Sequence, residues 1–297
     1  MNAMTRIEHA LTVTIEQALV AAVAHADAPG SPPRLGAALR YAVFPGGARI
    51  RPRLCLAAAC ACGEDDTTVA DAAAASIELL HCASLVHDDL PCFDHAPTRR
   101  GKPSVHRAFG ERLAVLSGDA LIVLAFQTLA RGVASAPHRL APLLLIISRS
   151  VGMPSGIVAG QAWECESRVA LADYQRLKTG ALFAAATMAG AAAAGAEPGP
   201  WRTLGERLGE AYQVADDIRD VAADPQDLGK PIGRDVALDR PSAARELGLA
   251  GAIERFDQLV AEAADSIPHC SGAAGLRALI HMEAQRFLPK ELAQRAA

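Results

Sequence analysis

Aromatic residues are scarce in this 297-residue sequence, since Phe, Trp and Tyr together make up only 4% of it. Hydrophobic residues nevertheless reach 51%, and alanine is abundant, so the core must be built from many small apolar side chains. That composition favours closely packed helices over a β-sandwich, because strands are enriched in aromatic and β-branched residues. No segment shows a convincing strand pattern. The sequence therefore predicts an all-α helical bundle.

An excess of positive charge is also lacking. The net charge is −4, which gives no sign of a nucleic-acid partner. The seven cysteines contain no Cys-x-x-Cys pair, and we interpret them as free thiols in a reducing cytosol rather than as disulfides or metal ligands. Because no linker rich in Pro, Gly or Ser divides the chain, we expect a single domain over residues 1–297.

Targeting and membrane-spanning signals are missing as well. The N-terminus does not show a basic segment followed by an apolar one. The longest uncharged run, residues 180–196, is slightly short for a membrane span and consists mostly of Ala and Gly. We therefore expect a cytoplasmic protein without a membrane span.

Apolar residues recur at helical spacing through most of the chain. We predict helices over 5–26, 35–43, 67–87, 109–131, 141–150, 180–196 and 201–221, and three more between 240 and 296. Within the long apolar helix over 67–87, Glu78 and His81 interrupt the apolar face. Gly152, Gly156 and Gly160 recur every four residues, which predicts one helix face of small residues.

The most distinctive charged segment reads DDLPCFDHAPTRRG, residues 88–101. It carries three aspartates and two arginines: Asp88, Asp89, Asp94, Arg99 and Arg100. Carboxylates bind hard divalent cations, and metals together with arginines bind a polyphosphate. Because Pro91 should end the preceding helix, the irregular residues after it can bring Asp94 back towards Asp88.

A second acidic segment, QVADDIRD, covers residues 213–220 and carries Asp216, Asp217 and Asp220. Residues four apart share a helix face, so Asp216 and Asp220 can serve one metal site. Two acidic clusters on one apolar cavity would repel each other strongly unless cations were bound. We therefore expect the bundle to enclose a central cavity that holds metal ions.

Several cations and one histidine are candidates for binding an anion. The Gly46-Gly47 turn precedes Arg49, Arg51 and Arg53 at the start of a helix, which is either an anion site or a turn with solvated arginines. His81 lies seven residues before Asp88, about 10 Å along the same helix face. It is either a core histidine or a group that faces a ligand.

These segments resemble the trans-isoprenyl diphosphate synthases, the polyprenyl synthetases, over nearly the full chain. Both aspartate motifs carry the resemblance, the first in the Asp-Asp-x4-Asp form followed by Arg-Arg-Gly. It is supported by the Gly-Gly turn with Arg51, by His81, by Lys178-Thr179, by Gln213 and by Gly229-Lys230. Within the family, the sequence looks most similar to the bacterial geranylgeranyl diphosphate synthases of carotenoid pathways.

The resemblance implies an enzyme with the isoprenoid synthase fold. Such an enzyme condenses isopentenyl diphosphate head-to-tail with dimethylallyl, geranyl or farnesyl diphosphate and makes geranylgeranyl diphosphate. The resemblance also implies three Mg²⁺ ions when substrate is bound, with Mn²⁺ as an alternative ion, and a homodimer. A farnesyl diphosphate synthase is the alternative product class.

The resemblance assigns roles to individual residues. Metal binding is implied for Asp88, Asp89, Asp94, Asp216, Asp217 and Asp220. Binding of the substrate diphosphates is implied for Gly47, Arg51, His81, Arg99 and Arg100. A catalytic role is implied for Lys178, Thr179, Gln213 and Lys230, in which the lysines add positive charge and the two oxygen dipoles stabilise the allylic cation.

The chain departs from the family pattern after the Gly-Gly turn, where Ala48 stands in place of the usual lysine. One cation is thereby lost from the isopentenyl diphosphate site unless Arg49 or Arg53 replaces it.

Product length is expected to depend on Ala83 and Ser84, five and four residues before Asp88. Farnesyl-producing relatives often have an aromatic residue at the fifth position. Ala83 leaves the cavity open there, which favours a C20 product over a C15 product.

Three other classes fit less well. A terpene cyclase usually mixes Asn, Ser or Thr with Glu in its second metal motif, and QVADDIRD does not. A di-iron bundle would match Glu78-Leu-Leu-His81 but needs a second Glu-x-x-His, which does not occur. A non-catalytic subunit of the same fold would be expected to have lost metal aspartates, and here all are present.

Overall fold

The structure, a computed structural model, describes residues 3–166, 179–222 and 243–288. Nearly all of its regular structure is helical, which confirms the predicted all-α fold. The chain divides into two compact units. The first contains Met1–Cys60, Glu64–Leu145 and Ala189–Ala196, and the second contains Ala61–Gly63, Ile146–Met188 and Glu197–Ala297.

The bounds of the described elements are as follows. The helices are α1 (Ala3–Ala26), α2 (Pro33–Val43), α3 (Ile50–Cys62), α4 (Thr67–Asp88), α5 (Val105–Phe109), α6 (Glu111–Gly132), α7 (Leu140–Val151), α8 (Ile157–Ala162), α9 (Ala181–Ala193), α10 (Arg202–Ala222), α11 (Ala243–Asp265) and α12 (Ala273–Gln285). Short 3₁₀ turns lie at Pro137–Arg139, Trp163–Cys165 and Gly199–Trp201. Two short strands, β1 (Thr98–Arg99) and β2 (Lys102–Pro103), pair antiparallel.

Two expectations about local structure were wrong. The glycines at 152, 156 and 160 do not share one helix face, because α7 ends at Val151 and Gly156 is the N-terminal cap of the next helix. The polar segment after the first aspartates contains a small hairpin, although no segment of the sequence showed a convincing strand pattern. In α11, Gly248 interrupts the helical geometry with a φ of 71°.

In the first unit, α4 is the central element and is buried on all sides from Ala72 to Leu80. It packs most extensively against α6, and glycines of α6 allow the close approach. A Cβ on Gly132 would lie 2.1 Å from the Cβ of Ala72, and one on Gly118 would lie 2.0 Å from Nε2 of His87. The two helices therefore run antiparallel, and the C-terminal end of α4 is fixed against α6.

In the second unit, α10 packs along α11. An ion pair between Arg207 Nε and Glu262 Oε2, 3.1 Å long, joins the two helices. Aromatic contacts fix the inner side of α10, since the ring of Tyr212 lies 5.4 Å from that of Phe183 and 5.3 Å from that of Phe287. The helix that carries the second aspartate motif is thus anchored within this unit.

Two helices, α4 and α6, have the length and apolar composition of a membrane span. In α4, 78% of the apolar window is buried inside the protein, against 39% in α6. The core helix of a soluble protein has the same character, so these helices are weak evidence for a membrane location.

Candidate functional site

The first aspartate motif begins at the end of α4. Asp88 is the last helical residue, and the chain then turns so that the backbone N–H of Asp94 donates a 2.9 Å hydrogen bond to the carbonyl oxygen of Asp88. The turn thus returns Asp94 to the helix end, as the sequence predicted. Asp88 and Asp94 are both half-buried, so the turn brings two partly accessible acidic residues together.

Asp89, in contrast, faces the protein interior and is only 2% exposed. Nε of Arg99 donates to both of its carboxylate oxygens, at 3.0 and 3.2 Å, and Nη2 of Arg99 adds a further short contact. Burial raises the pKa of Asp89, and the ion pair with Arg99 opposes that rise. Burial would lower the pKa of Arg99, but Asp89 raises it overall. The ion pair therefore fixes the positions of the Asp89 and Arg99 side chains.

The hairpin between β1 and β2 turns at Arg100 and Gly101, with φ of 53° and 75°. Positive φ at both central residues is the geometry of a tight two-residue hairpin turn. Nζ of Lys102 donates to the carbonyl oxygens of Tyr41, at 2.5 Å, and Phe44, at 2.6 Å. The hairpin is thereby tied to the C-terminal end of α2.

The Gly-Gly turn lies directly beside this hairpin. A Cβ on Gly47 would lie 3.1 Å from Nε of Arg100, so Arg100 is seated against the turn. On the neighbouring helix α3, Nη1 of Arg51 lies 3.5 Å from Nε2 of His81. Gly47, Arg51, His81 and Arg100, which were singled out for diphosphate binding, therefore belong to one cluster within the first unit.

His81 is neutral in this cluster. Burial lowers its pKa well below 6.5, and the charges of Arg51, Arg100, Arg99 and Arg49 lower it further. A neutral imidazole can still donate one hydrogen bond, and the arginines supply the positive charge. The cluster is therefore suited to an anion with several oxygens.

Arg49 does not face this cluster. Its guanidinium group points inward and contacts Glu16 at 2.8 Å and Glu78 at 2.6 Å. It therefore does not replace the lysine that Ala48 lacks. Sequence reasoning missed these ion pairs, although a lone Glu78 in an apolar helix face was a signal that a buried cation had to lie opposite.

The second aspartate motif, in the second unit, shows the same division between an accessible and a buried aspartate. Asp216 is half-buried and accepts a 2.8 Å hydrogen bond from Nη2 of Arg219. Asp217 is buried, and its Oδ2 accepts a 2.8 Å hydrogen bond from the backbone N–H of Ala243, the first residue of α11. Asp217 therefore fixes the start of α11.

Gln213 links the motif to Thr179. Nε2 of Gln213 donates to Oδ1 of Asp217 at 3.2 Å, and Oγ1 of Thr179 donates to Oε1 of Gln213 at 3.4 Å. These two predicted catalytic residues thus lie together in the second unit, and Asp220 follows one turn after Asp216 on α10. Lys178 and Lys230 lie outside the described residues.

The two residues proposed to set product length differ in accessibility. Ala83 is 1% exposed. Ser84 is half-buried and lies four residues before Asp88. Ser84 and Asp88 therefore share one face of α4 with His81 and Leu85. Oγ of Ser84 donates to the carbonyl oxygen of His81 at 2.8 Å. The accessible stripe of α4 that leads to Asp88 therefore contains Ser84 and not Ala83.

The family is decided by a comparison with known proteins. A family model described as polyprenyl synthetase matches residues 32–267. The chain belongs to the polyprenyl synthetase family. The family indicated by the two aspartate motifs is thus confirmed.

Individual polyprenyl synthetases agree with this result. The chain is 53% identical over 281 residues to the geranylgeranyl diphosphate synthase of Cereibacter sphaeroides, covering 95% of this chain and 98% of that relative. It is 50% identical to the geranylgeranyl diphosphate synthase of Rhodobacter capsulatus, covering 92% and 95%. The crystal structure of a geranyltransferase from Helicobacter pylori, complexed with magnesium and isoprenyl diphosphate, has a TM-score of 0.76 at 30% identity and covers 91% of this chain and 96% of that one.

Proposed function

We propose that this polyprenyl synthetase is a geranylgeranyl diphosphate synthase that condenses isopentenyl diphosphate with an allylic diphosphate. The observation that carries the proposal is that the first unit contains both the half-buried Asp88 and Asp94 and the cluster of Arg51, His81 and Arg100. Identities of 50% and 53% to two geranylgeranyl diphosphate synthases support the C20 product. We propose further that both units belong to one domain, since the family match includes residues of each.

The donor groups fit magnesium. Mg²⁺ usually keeps several waters and is bound by one or two carboxylates together with substrate phosphates. The parts of the chain that the structure describes contain no group of three His, Cys, Asp or Glu side chains placed to hold an ion. When bound, magnesium neutralises the diphosphate and makes it a better leaving group. Asp88 and Asp94 in the first motif, and Asp216 and Asp220 in the second, would hold the ions.

Asp89 and Asp217 support this arrangement from the interior. Asp89 keeps Arg99 in place, and Asp217 keeps the start of α11 in place. We therefore propose that they contribute to metal binding chiefly by fixing the backbone of the neighbouring ligands. Three ions with substrate bound, and Mn²⁺ as an alternative, stay predictions.

The arginine cluster has a separate task. Arg51, His81 and Arg100 would bind the diphosphate of isopentenyl diphosphate, and the backbone at Gly47 would approach it closely. Arg99, fixed by Asp89, would add positive charge on the side of the allylic diphosphate. Fixed cations of this kind stabilise negative charge as it develops on the leaving group without further reorganisation.

We propose the reaction that the family resemblance implies. The allylic C1–O bond breaks, and the electron pair leaves with the diphosphate. The double bond of isopentenyl diphosphate attacks C1 through its terminal carbon, C4, which leaves a carbocation at C3. A proton is then lost from C2 to the released diphosphate, and the C2–C3 double bond forms. Thr179 and Gln213 would stabilise the cation through their oxygen dipoles, and Lys178 and Lys230 would add positive charge.

We also propose a homodimer in the cytoplasm. Helices α6 and α7 expose large apolar side chains in the first unit, namely Leu116 (51%), Val123 (56%) and Leu144 (41%). An apolar surface of this kind on a protein of a dimeric family is suited to a second copy.

The decisive experiment is product analysis. Purified protein would be incubated with Mg²⁺, labelled isopentenyl diphosphate and dimethylallyl, geranyl or farnesyl diphosphate. We expect a C20 product that EDTA abolishes. A C15 product would replace our product assignment with a farnesyl diphosphate synthase, and no product from any allylic partner would refute catalysis and favour a regulatory subunit.

Matched variants test the metal assignment. Asp88→Asn should lower kcat/KM on the order of a hundred- to thousandfold, because it removes a ligand to the group that stabilises the leaving diphosphate. Asp65→Asn is the control, since Asp65 is an exposed carboxylate of the same unit that pairs with Arg139. Equal activity of the two variants would contradict the assignment.

A further inference from the structure

Arg49 is a buried cation with an unusual backbone. It is 4% exposed, and its φ of 50° lies in the left-handed region that residues with a side chain rarely adopt. Its guanidinium group lies against the Gly-Gly turn, and Nη2 donates to the carbonyl oxygen of Val43, at the end of α2, at 2.9 Å. A Cβ on Gly46 would lie only 2.2 Å from the Cζ atom of Arg49. Glycine is therefore needed at position 46 so that Arg49 can occupy this place.

Glu78 connects this buried cation to the substrate cluster. Its carboxylate is 2% exposed, and Oε1 lies 2.6 Å from Nη1 of Arg49 and 3.7 Å from Nη2 of Arg100. One carboxylate oxygen thus lies between two arginines that are far apart in sequence. Since Glu78 is on α4, one turn before His81, it joins the helix, the Gly-Gly turn and the hairpin.

The cluster needs such a countercharge when no substrate is bound. Arg49, Arg51, Arg99 and Arg100 all lie close enough to lower the pKa of His81, and like charges at such distances repel one another. Asp89 neutralises Arg99. Glu78 opposes the repulsion at Arg100, because its carboxylate lies 3.7 Å from that guanidinium group.

We propose that Glu78 is a positioning residue for the isopentenyl diphosphate site. By pairing with Arg49 it holds the Gly-Gly turn against α4, and by its proximity to Arg100 it keeps that guanidinium beside Gly47 before substrate arrives. The inference rests on the proposed function, because it assigns a role in the binding of one of the two substrates. Glu78 itself touches no substrate.

The test compares two glutamates that share Arg49. Glu78→Gln keeps the size of the side chain but removes its charge, so Arg100 loses its inner countercharge. We expect the KM for isopentenyl diphosphate to rise roughly tenfold, because one misplaced charge-assisted hydrogen bond changes affinity by roughly ten- to hundredfold. The KM for the allylic diphosphate should change less than twofold.

Glu16→Gln is the matched control. Glu16 contacts Arg49 from the other side at 2.8 Å and is half-exposed, and no contact joins it to Arg100 among the described residues. Both variants weaken the pairing of Arg49 and should lower Tm. Only Glu78→Gln should raise the KM for isopentenyl diphosphate. A merely structural role would instead give both variants the same kinetic profile.

A double variant shows whether Glu78 acts through Arg100. If it does, Glu78→Gln combined with Arg100→Ala should have the same KM for isopentenyl diphosphate as Arg100→Ala alone. Additive effects in the two variants would contradict the inference. If Glu78→Gln does not fold, Glu78→Asp takes its place, because it keeps the charge but withdraws it by one methylene. It should raise the same KM by a smaller factor.

The outcomes separate the two hypotheses. No turnover by the wild-type protein would refute the synthase function and the inference with it. If the wild-type protein is active but Glu78→Gln alters the KM values of both substrates, or alters kcat alone, the positioning role is refuted and the synthase function stands. A selective rise in the KM for isopentenyl diphosphate, absent from Glu16→Gln, would establish it.

Discussion

Replacement of Ser84 by phenylalanine offers a direct test of where the growing prenyl chain lies. Ser84 is half-buried on the stripe of α4 that leads to Asp88, whereas Ala83 is 1% exposed and points away from it. We expect Ser84→Phe to shorten the product from C20 to C15. Ala83→Phe, the change that the family pattern suggests, should mainly lower stability.

The magnitude follows from helix geometry. Ser84 lies about 6 Å, four residues, below Asp88. Its side chain leans further towards the N-terminus of the helix, so a phenyl ring would fill the space between about 5 and 10 Å from Asp88. An extended four-carbon isoprenoid repeat spans about 5 Å, given carbon–carbon bonds near 1.5 Å. The second unit of a geranyl chain would end beside the ring, whereas the third unit of a farnesyl chain, which a C20 product requires, would have to pass it.

Ala83→Phe should lower the free energy of unfolding more than Ser84→Phe, although it should affect product length less. Phenylalanine at the buried position 83 overpacks α4, which costs about 1–3 kcal/mol, whereas at position 84 the ring enters accessible space. The assay is chromatography of labelled products from geranyl diphosphate, combined with thermal unfolding. A C20 product from Ser84→Phe together with a C15 product from a stably folded Ala83→Phe would refute the reasoning and place the chain on the other face.

Three further predictions concern other parts of the chain. Ala48→Lys should lower the KM for isopentenyl diphosphate about tenfold, because a charge-assisted hydrogen bond is worth about 1.5–3 kcal/mol and Arg49 points inward; initial-rate kinetics would measure it, and an unchanged KM would mean that the site is already complete. Asp71→Asn should raise Tm at pH 7.5 but not at pH 4.5, since burial, with a smaller contribution from Asp66, raises the pKa of the half-buried Asp71 to about 6. Because the folded-state pKa is raised, protonated Asp71 favours the folded state at low pH, and this stabilisation is lost as pH rises through 6. Ionisation of Asp71 then lowers the free energy of unfolding by about 1–2 kcal/mol, allowing for its partial exposure. An equal rise in Tm of Asp71→Asn at both pH values would contradict this prediction. Val123→Glu should convert a dimer to a monomer in light scattering, because it places a charge on the exposed apolar face of α6; a dimer that persists would locate the interface elsewhere.

The helices were largely predictable, because each one buries an apolar face whose spacing is visible in the sequence. For the long helices, predicted and observed ends differ by at most three residues, as for the alanine-rich helix expected to end at 196 and observed to end at Ala193. The prediction that Gly152, Gly156 and Gly160 share one helix face was wrong. A four-residue spacing also occurs where a turn leads into a helix cap, as it does at Gly156.

The chemistry of the site was predictable where one short segment contains it. Asp88 and Asp94 return to each other through a local hydrogen bond, so their sequence separation carried the information. The ion pair of Arg49 with Glu78 joins residues 29 positions apart and depends on a left-handed backbone. Spacing does not encode either property, so the inward direction of Arg49 emerged only from the structure.

The two adjacent aspartates of each motif, Asp88–Asp89 and Asp216–Asp217, have different environments that the sequence does not reveal. In each pair the first carboxylate is partly accessible and the second is buried, at Asp89 against Arg99 and at Asp217 against the start of α11. Selection would therefore preserve the two members for different reasons, the outer one for chemistry and the inner one for folding. A homologue that kept only the inner aspartates would still fold without catalysing anything, so the presence of an aspartate motif and the presence of an activity are separable properties in this architecture.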